Sequence, residues 1–241
     1  MIVEDVIAPK LRIIFLWLIR RGSFPVCWRS ANVTASPNRA SYPDMKSYHP
    51  LSITPILSKV YGKLVSHTLI QKLVSQWEVS FSNAYTKNVF FCLLLSQFAY
   101  RKALGCTDAL LTISHHLQKS LGTGMESYIV QLDFSVTFDR VSHSALLLKL
   151  KSIGVGGSVQ SICMEFLSNR RQRVVVDGAA SEWITIVPGV PQGSVLGPLL
   201  FILYTSEMCE LVENRLCAYA DDSTLVAVVR NSRQTCCCCL P

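Results

Sequence analysis

Leu216-Cys217-Ala218-Tyr219-Ala220-Asp221-Asp222-Ser223-Thr224 is the stretch whose reading decides the fold. An apolar, β-prone run from Leu216 to Tyr219 faces a second run, Thr224 to Val229, across a turn rich in acid, which spells a hairpin. Far upstream, Tyr128-Ile129-Val130-Gln131-Leu132 is another short β-prone run, and it ends on Asp133. If these strands are neighbours, three carboxylates converge at one end of a sheet. Like charges at close quarters repel unless cations neutralise them. Hard divalent ions with oxygen ligands are the natural answer, Mg²⁺ above all beside phosphates. Two such ions about 4 Å apart activate an attacking hydroxyl and stabilise a leaving oxygen. The plain alternative is that Asp133 caps the next segment and Asp221-Asp222 form a turn. Pattern alone leaves both open.

Working outward, Arg173 to Val176 and Trp183 to Val187 flank Asp177-Gly178, a second hairpin signal. Val190-Pro191-Gln192-Gly193 leads into an apolar helix, Leu196 to Tyr204. Helices are predicted from about Ser142 to Leu150 and from about Val159 to Leu167, the latter ending near Arg170, Arg171 and Arg173. Thr107 is a good N-cap, with Asp108 in the first turn and Leu110, Ile113 and Leu117 on one face. Gly122 and Gly124 end that helix.

Ile56, Leu57, Val60, Tyr61, Leu64 and Val65 recur at helical spacing, with Lys59 and Lys63 facing away. Pro9 to Arg20 reads as a helix with Pro9 in its first turn. Between these helices, Gly22 to Pro50 is Pro- and Ser-rich and predicts irregular chain or short edge strands. The run Val89 to Leu95 fits no period. The fold class is therefore α+β, a small antiparallel sheet backed by helices.

The chain has 241 residues, 50% hydrophobic and 16% charged, which excludes a disordered tail. A formal charge of +7 is compatible with a polyanionic partner. No apolar run reaches the roughly 18 residues of a membrane span. Glu4 and Asp5 argue against a secretory leader, so an intracellular protein, nuclear or cytoplasmic, is expected. Of ten cysteines, Cys27, Cys92, Cys106, Cys163, Cys209 and Cys217 are scattered and read as reduced thiols. Cys236 to Cys239 form a run with no scaffold for a tetrahedral metal.

Tyr219-Ala220-Asp221-Asp222 resembles the YxDD hairpin of reverse transcriptases. Leu132-Asp133-Phe134-Ser135-Val136-Thr137-Phe138-Asp139-Arg140-Val141-Ser142-His143 resembles their first palm motif. Gly189-Val190-Pro191-Gln192-Gly193-Ser194-Val195-Leu196-Gly197-Pro198 is similar to the motif between them. All three stand in the family's order, and their wording is that of non-LTR (LINE-type) retrotransposon polymerases. Upstream, Tyr48-His49-Pro50-Leu51-Ser52 with Pro55 to Val60 is similar to the fingers motif. Gln97 to Lys102 with Cys106-Thr107-Asp108-Ala109 resembles the segment that follows it. The likeness runs from about Phe24 to Val229.

This resemblance implies an RNA-directed DNA polymerase with right-hand fingers and palm. Its partners would be an RNA template, a DNA primer and dNTPs, and its cofactor Mg²⁺ or Mn²⁺. Asp133, Asp221 and Asp222 would be catalytic and hold the metal ions, with the Phe134 backbone beside them. Phe138 would be the steric gate under the sugar, Gln192 and Gly193 would shape the nucleotide pocket, and Arg101 would contact phosphate or template. The Arg170, Arg171 and Arg173 cluster would bind nucleic acid.

Some positions depart from the family. His49 stands where an arginine is usual, Ala35-Ser36-Pro37-Asn38 lacks a basic residue, and Ser135-Val136-Thr137 lacks a lysine. The expected organisation is an N-terminal helix over 1–23, fingers and palm over 24–230, and an unrelated Cys-rich tail over 231–241, with the thumb missing. That leaves a second expectation, a truncated, catalytically silent remnant that binds nucleic acid weakly and without sequence preference.

Overall fold

Ile2–Arg21 form the first helix, α1, of the computed structural model, which describes residues 2–37, 48–79, 96–101, 103–134, 137–209, 212 and 214–229. Pro9 lies inside this helix rather than in its first turn. The stretch around it, Asp5 to Lys10, is exposed, so water can satisfy the backbone carbonyl that proline leaves unpaired. The unpatterned run Val89 to Leu95 and the Cys236 to Cys239 tail lie outside the described residues.

The chain divides into two compact units. The first joins Met1–Ser82 to Phe138–Tyr204, and the second joins Asn83–Thr137 to Thr205–Pro241.

In the first unit, α1 is followed by strands β1 (Ser30–Pro37) and β2 (Tyr48–Ile53) and by helix α2 (Ile56–Val79). The Pro-rich stretch thus contributes β1 and the start of β2, its residues 38–47 lying outside the described residues. β1 pairs antiparallel with β2. It also pairs in parallel with β4 (Arg170–Val176), Ser30 to Val33 lying opposite Arg171 to Val174. Short β5 (Ala179–Ala180) and β6 (Ile184–Ile186) complete a five-stranded mixed sheet. This corrects the expectation of a single small antiparallel sheet. Asp177 (φ 48°) and Gly178 (φ 81°) make the tight turn between β4 and β5, both in the left-handed region that such a turn requires.

The core of this unit is aromatic. Tyr61, fully buried on α2, lies 5.5 Å from Phe15 and 5.7 Å from Phe24, ring centre to ring centre. Phe24 in turn meets Phe166 edge-on at 5.2 Å. Phe166 belongs to the helix Ser158–Leu167, whose Val159, Ile162, Cys163, Phe166 and Leu167 are all buried. The face of α2 that is buried runs through Ser58, Tyr61, Val65 and Leu69, while Ile56, Leu57, Val60 and Leu64 are exposed. Of the six residues of the expected stripe, Tyr61 and Val65 pack inward and the four aliphatic residues nearest the helix start face out.

Glu165 ties the core to the chain entering β1. Its carboxylate accepts hydrogen bonds from the Phe24 N–H at 2.7 Å and from Arg29 at 2.9 Å. Arg29 also donates twice to the Phe24 carbonyl.

In the second unit, helix α3 (Cys106–Gly122) packs against a three-stranded antiparallel sheet in the order β3 (Glu126–Leu132), β8 (Asp222–Val229), β7 (Arg215–Tyr219). Phe98, Ala109 and Cys217 form its buried cluster, with Leu104, Ile113 and Tyr219 against it. The N-cap of α3 is Gly105, not Thr107. The Asp108 carboxylate accepts the Gly105 N–H at 2.7 Å, closing the helix start from its first turn. The remaining helices of the first unit are α4 (His143–Ser152), capped by the Ser142 hydroxyl, α5 (Ser158–Leu167) and α6 (Leu196–Thr205). Among the described residues no helix is long and apolar enough to cross a membrane.

Candidate active site

The acidic hairpin is tight. Tyr219 pairs with Asp222, leaving Ala220 and Asp221 as the two turn residues, so Asp221 sits at the tip and Asp222 opens β8. On the other side of β8, Leu132 pairs with Ser223. Asp133 follows Leu132 directly, and one more step of that register lies beside Asp222. The β3–β8–β7 order thus brings Asp133, Asp221 and Asp222 to one end of one sheet.

Asp133 and Asp222 are exposed and Asp221 half-buried. Carboxylate oxygen is the donor class that hard divalent ions take, and the register matches it. The side chains themselves stand apart: among the described residues no three His, Cys, Asp or Glu groups gather closely enough to hold a metal ion. Phe134 is exposed, and its carbonyl accepts a hydrogen bond from the Thr137 hydroxyl at 2.5 Å.

Residues near the turn that sequence patterns did not single out are Gln97 and Tyr100. Gln97 is buried at 6% exposure, and its side-chain amide bonds the Ala220 backbone. Tyr100 sits close enough to Asp221 for that carboxylate, after burial, to raise its phenol above its ordinary pKa. The only signal for either was membership of a motif carried by resemblance. Arg101 donates to the Gln97 carbonyl at 3.0 Å, and partial burial lowers its guanidinium pKa.

Phe138, Gln192 and Gly193 belong to the first unit, where two motifs far apart in sequence are fastened together. The Gly189 N–H donates to the Val141 carbonyl at 2.9 Å, and the Val190 N–H to the Phe138 carbonyl at 2.8 Å. The His143 ring meets the Gly189 carbonyl at 2.7 Å. A Cβ on Gly189 would stand 2.6 Å from the Asp139 Cα, and one on Gly193 would stand 2.6 Å from the Ser52 carbonyl oxygen. Both glycines have positive φ, so close approach and backbone conformation demand the same residue. The Ser52 N–H donates to the Gln192 carbonyl at 3.0 Å, joining the loop to β2.

Ser194 then caps α6: its hydroxyl donates to the Pro191 carbonyl and accepts the Gly197 N–H at 3.0 Å. Gln192, Asp139, Ser52, Pro50 and Gln172 share a pocket of about 400 Å³, and burial raises the Asp139 carboxyl above its ordinary pKa. Phe138 is buried and stacks on Phe201 at 4.2 Å, the position of a core ring.

The arginine cluster splits. Arg170 is 4% exposed, donates to the Phe166 carbonyl and lies over the Phe166 ring. Burial, and then Arg29, lower its pKa to about 10. Its guanidinium is a core group, which corrects its reading as a nucleic-acid contact. Arg171 and Arg173, two apart on β4, both lie over the Trp183 ring, at 5.7 Å and 4.6 Å, on the outward side.

The sequence profile of the family "Reverse transcriptase (RNA-dependent DNA polymerase)" matches residues 37–239. The chain is 29% identical over 225 residues to the RNA-directed DNA polymerase from mobile element jockey of Drosophila melanogaster, across 90% of this chain and 23% of that protein. The Drosophila funebris counterpart is also 29% identical, over 218 residues, with 22% of its length covered. The chain thus spans about a quarter or less of the length of the curated relatives it matches. Apo telomerase from Candida tropicalis, in a form truncated from its C-terminal domain, has a similar fold. Its TM-score is 0.57 at 13% identity, with 94% of this chain and 49% of that one covered. With a family profile spanning most of its length, the chain belongs to the reverse transcriptase (RNA-dependent DNA polymerase) family, and its curated relatives are the polymerases of non-LTR retrotransposons.

Proposed function

We propose that this chain is the fingers and palm of a retrotransposon polymerase that extends a DNA primer on an RNA template. The observation that carries the reading is the shared sheet end of Asp133, Asp221 and Asp222, set by the Leu132–Ser223 pair. In the reaction the primer 3′-oxygen bonds to the α-phosphorus of a dNTP, the bond to the β-phosphate oxygen breaks, and pyrophosphate leaves. The 3′-hydroxyl proton passes to solvent. Mg²⁺ or Mn²⁺ held by the three carboxylates would supply charge neutralisation for the attacking and leaving oxygens.

The chain's own residues orient the reactants. Gln192 and Gly193, on a loop pinned to β2 and to the Phe138–Val141 segment, shape the nucleotide pocket. Phe138, packed on Phe201, backs the segment to which this loop is pinned, and the Phe134 backbone borders the triphosphate. Arg101 contributes positive charge toward phosphate, and Arg171 with Arg173 hold the template strand electrostatically. The test is single-nucleotide incorporation opposite a defined RNA template base by the purified chain. Incorporation of the complementary dNTP alone supports the reading. No incorporation by a folded protein with either metal would favour a silent remnant.

A further inference from the structure

Ala220, between Tyr219 and Asp221, has φ 58°, in the left-handed region that an alanine adopts only under constraint. The constraint is visible. Gln97 is buried, and its Oε1 accepts the Ala220 N–H at 2.9 Å while its Nε2 donates to the Ala220 carbonyl at 3.2 Å. The same Oε1 accepts the Ala99 N–H at 3.0 Å, which anchors the amide from its own side. Next to it, the Phe98 N–H donates to the Ala218 carbonyl at 2.9 Å, and Gln97 forms a parallel bridge with Ala218. One side chain therefore satisfies both polar groups of the strained residue in the acidic turn, from a segment more than a hundred residues away in sequence. A buried amide whose hydrogen bonds are this fully used resists displacement, because each unmade bond would be left without water.

We propose that Gln97 is a positioning residue for the carboxylate turn: by gripping both backbone groups of Ala220 it fixes the direction in which Asp221 and Asp222 leave β7 and β8. The proposal rests on the polymerase reading for its catalytic consequence, but the grip itself is independent of it. Gln97→Leu keeps the bulk and removes all three hydrogen bonds. Gln97→Glu keeps the two acceptor contacts and replaces the donor facing the Ala220 carbonyl.

Three readouts on the full 241-residue chain separate the possibilities. The first is hydrogen exchange at the Ala220 amide. It is slow in wild type, accelerated at least tenfold in Gln97→Leu and intermediate in Gln97→Glu, with the Val226 amide in β8 unchanged. The second is Mn²⁺ binding followed by electron paramagnetic resonance, weakened several-fold in Gln97→Leu. The third is primer extension, in which kcat falls at least tenfold in Gln97→Leu while KM for dNTP stays within twofold.

A fast-exchanging Ala220 amide in wild type overturns the grip. Unchanged Mn²⁺ binding and kcat in Gln97→Leu overturn the positioning role. If wild type extends no primer, the polymerase reading fails while the exchange and Mn²⁺ measurements still decide the role of Gln97. Should Gln97→Leu not fold, Gln97→Glu carries the same comparisons.

Discussion

Leu132 stands opposite Ser223 in the β3–β8 ladder, and the next residue of each strand toward the turn is an aspartate, Asp133 on one and Asp222 on the other. Ser223 is buried where Asp222 is exposed, so the strand's alternation presents the acid outward at the sheet's end. A one-residue slip of this pair would exchange the two faces, so the register is itself part of the site.

Two glycines at positive φ, Gly178 in the β4–β5 turn and Gly189 in the loop before α6, divide strain from crowding. Gly178→Ala, at φ 81° with open space around it, should cost about 1 kcal/mol from backbone conformation alone. Gly189→Ala meets the same conformational cost and also drives a methyl into the Asp139 backbone, so it should cost more than about 2 kcal/mol. Urea denaturation of the two variants checks the order; equal midpoints would contradict the close approach.

Arg29→Ala removes the partner of Glu165 and two hydrogen bonds to the Phe24 carbonyl. The Glu165 side chain is 35% exposed, so the loss should be about 2 kcal/mol, short of that for a fully buried pair. Thermal unfolding followed by circular dichroism measures it.

Alkaline pH should weaken the first unit. Burial pushes the Cys163 thiol up to about 12 from an ordinary 9, and burial with Glu165 nearby also raises Tyr61. In this range the folded state binds protons that the unfolded state releases, so stability is complete below about pH 9 and falls as pH rises toward 12. Cys163→Ala should flatten that decline, measured as unfolding midpoint against pH. A decline as steep as in wild type would assign it to other groups.

Arg171→Ala and Arg173→Ala should each lower the salt dependence of single-stranded nucleic-acid binding by about one counterion. Arg171→Ala should leave stability nearly unchanged, and Arg173→Ala, which also loses the Nε hydrogen bond to the Asn32 side chain, should cost about 1 kcal/mol. Arg170→Ala should do the reverse, because its guanidinium is spent on Phe166. Fluorescence anisotropy across a salt series distinguishes the two behaviours.

What the sequence revealed follows from the range of each interaction. The acidic hairpin, the strand ending at Asp133, the helix that starts near Ser142 and the apolar helix of Leu196–Thr205 are written in neighbouring residues and are legible there. The parallel pairing of Ser30 to Val33 with Arg171 to Val174 joins segments about 140 residues apart and leaves no local pattern. On α2 the expected stripe ran through Ile56, Leu57, Val60, Tyr61, Leu64 and Val65, but only Tyr61 and Val65 face the core, because the Tyr61 ring meets Phe15 of α1 and Phe24 and Trp28 of the chain before β1. Arg170 and Arg171 are indistinguishable in sequence, and only strand alternation sends one inward and the other out. Gln97 stands in a segment matched by resemblance, but no local pattern marks its role, which is defined by a backbone it meets only in the folded chain.

The most direct test of the account is primer extension on an RNA template with Mg²⁺ or Mn²⁺, comparing wild type with Asp133→Ala and Asp221→Ala. The account predicts extension by wild type and a loss of at least a thousandfold in each variant, with both variants folded as judged by circular dichroism. Extension that survives in either folded variant would contradict the assignment of the shared sheet end as the catalytic centre.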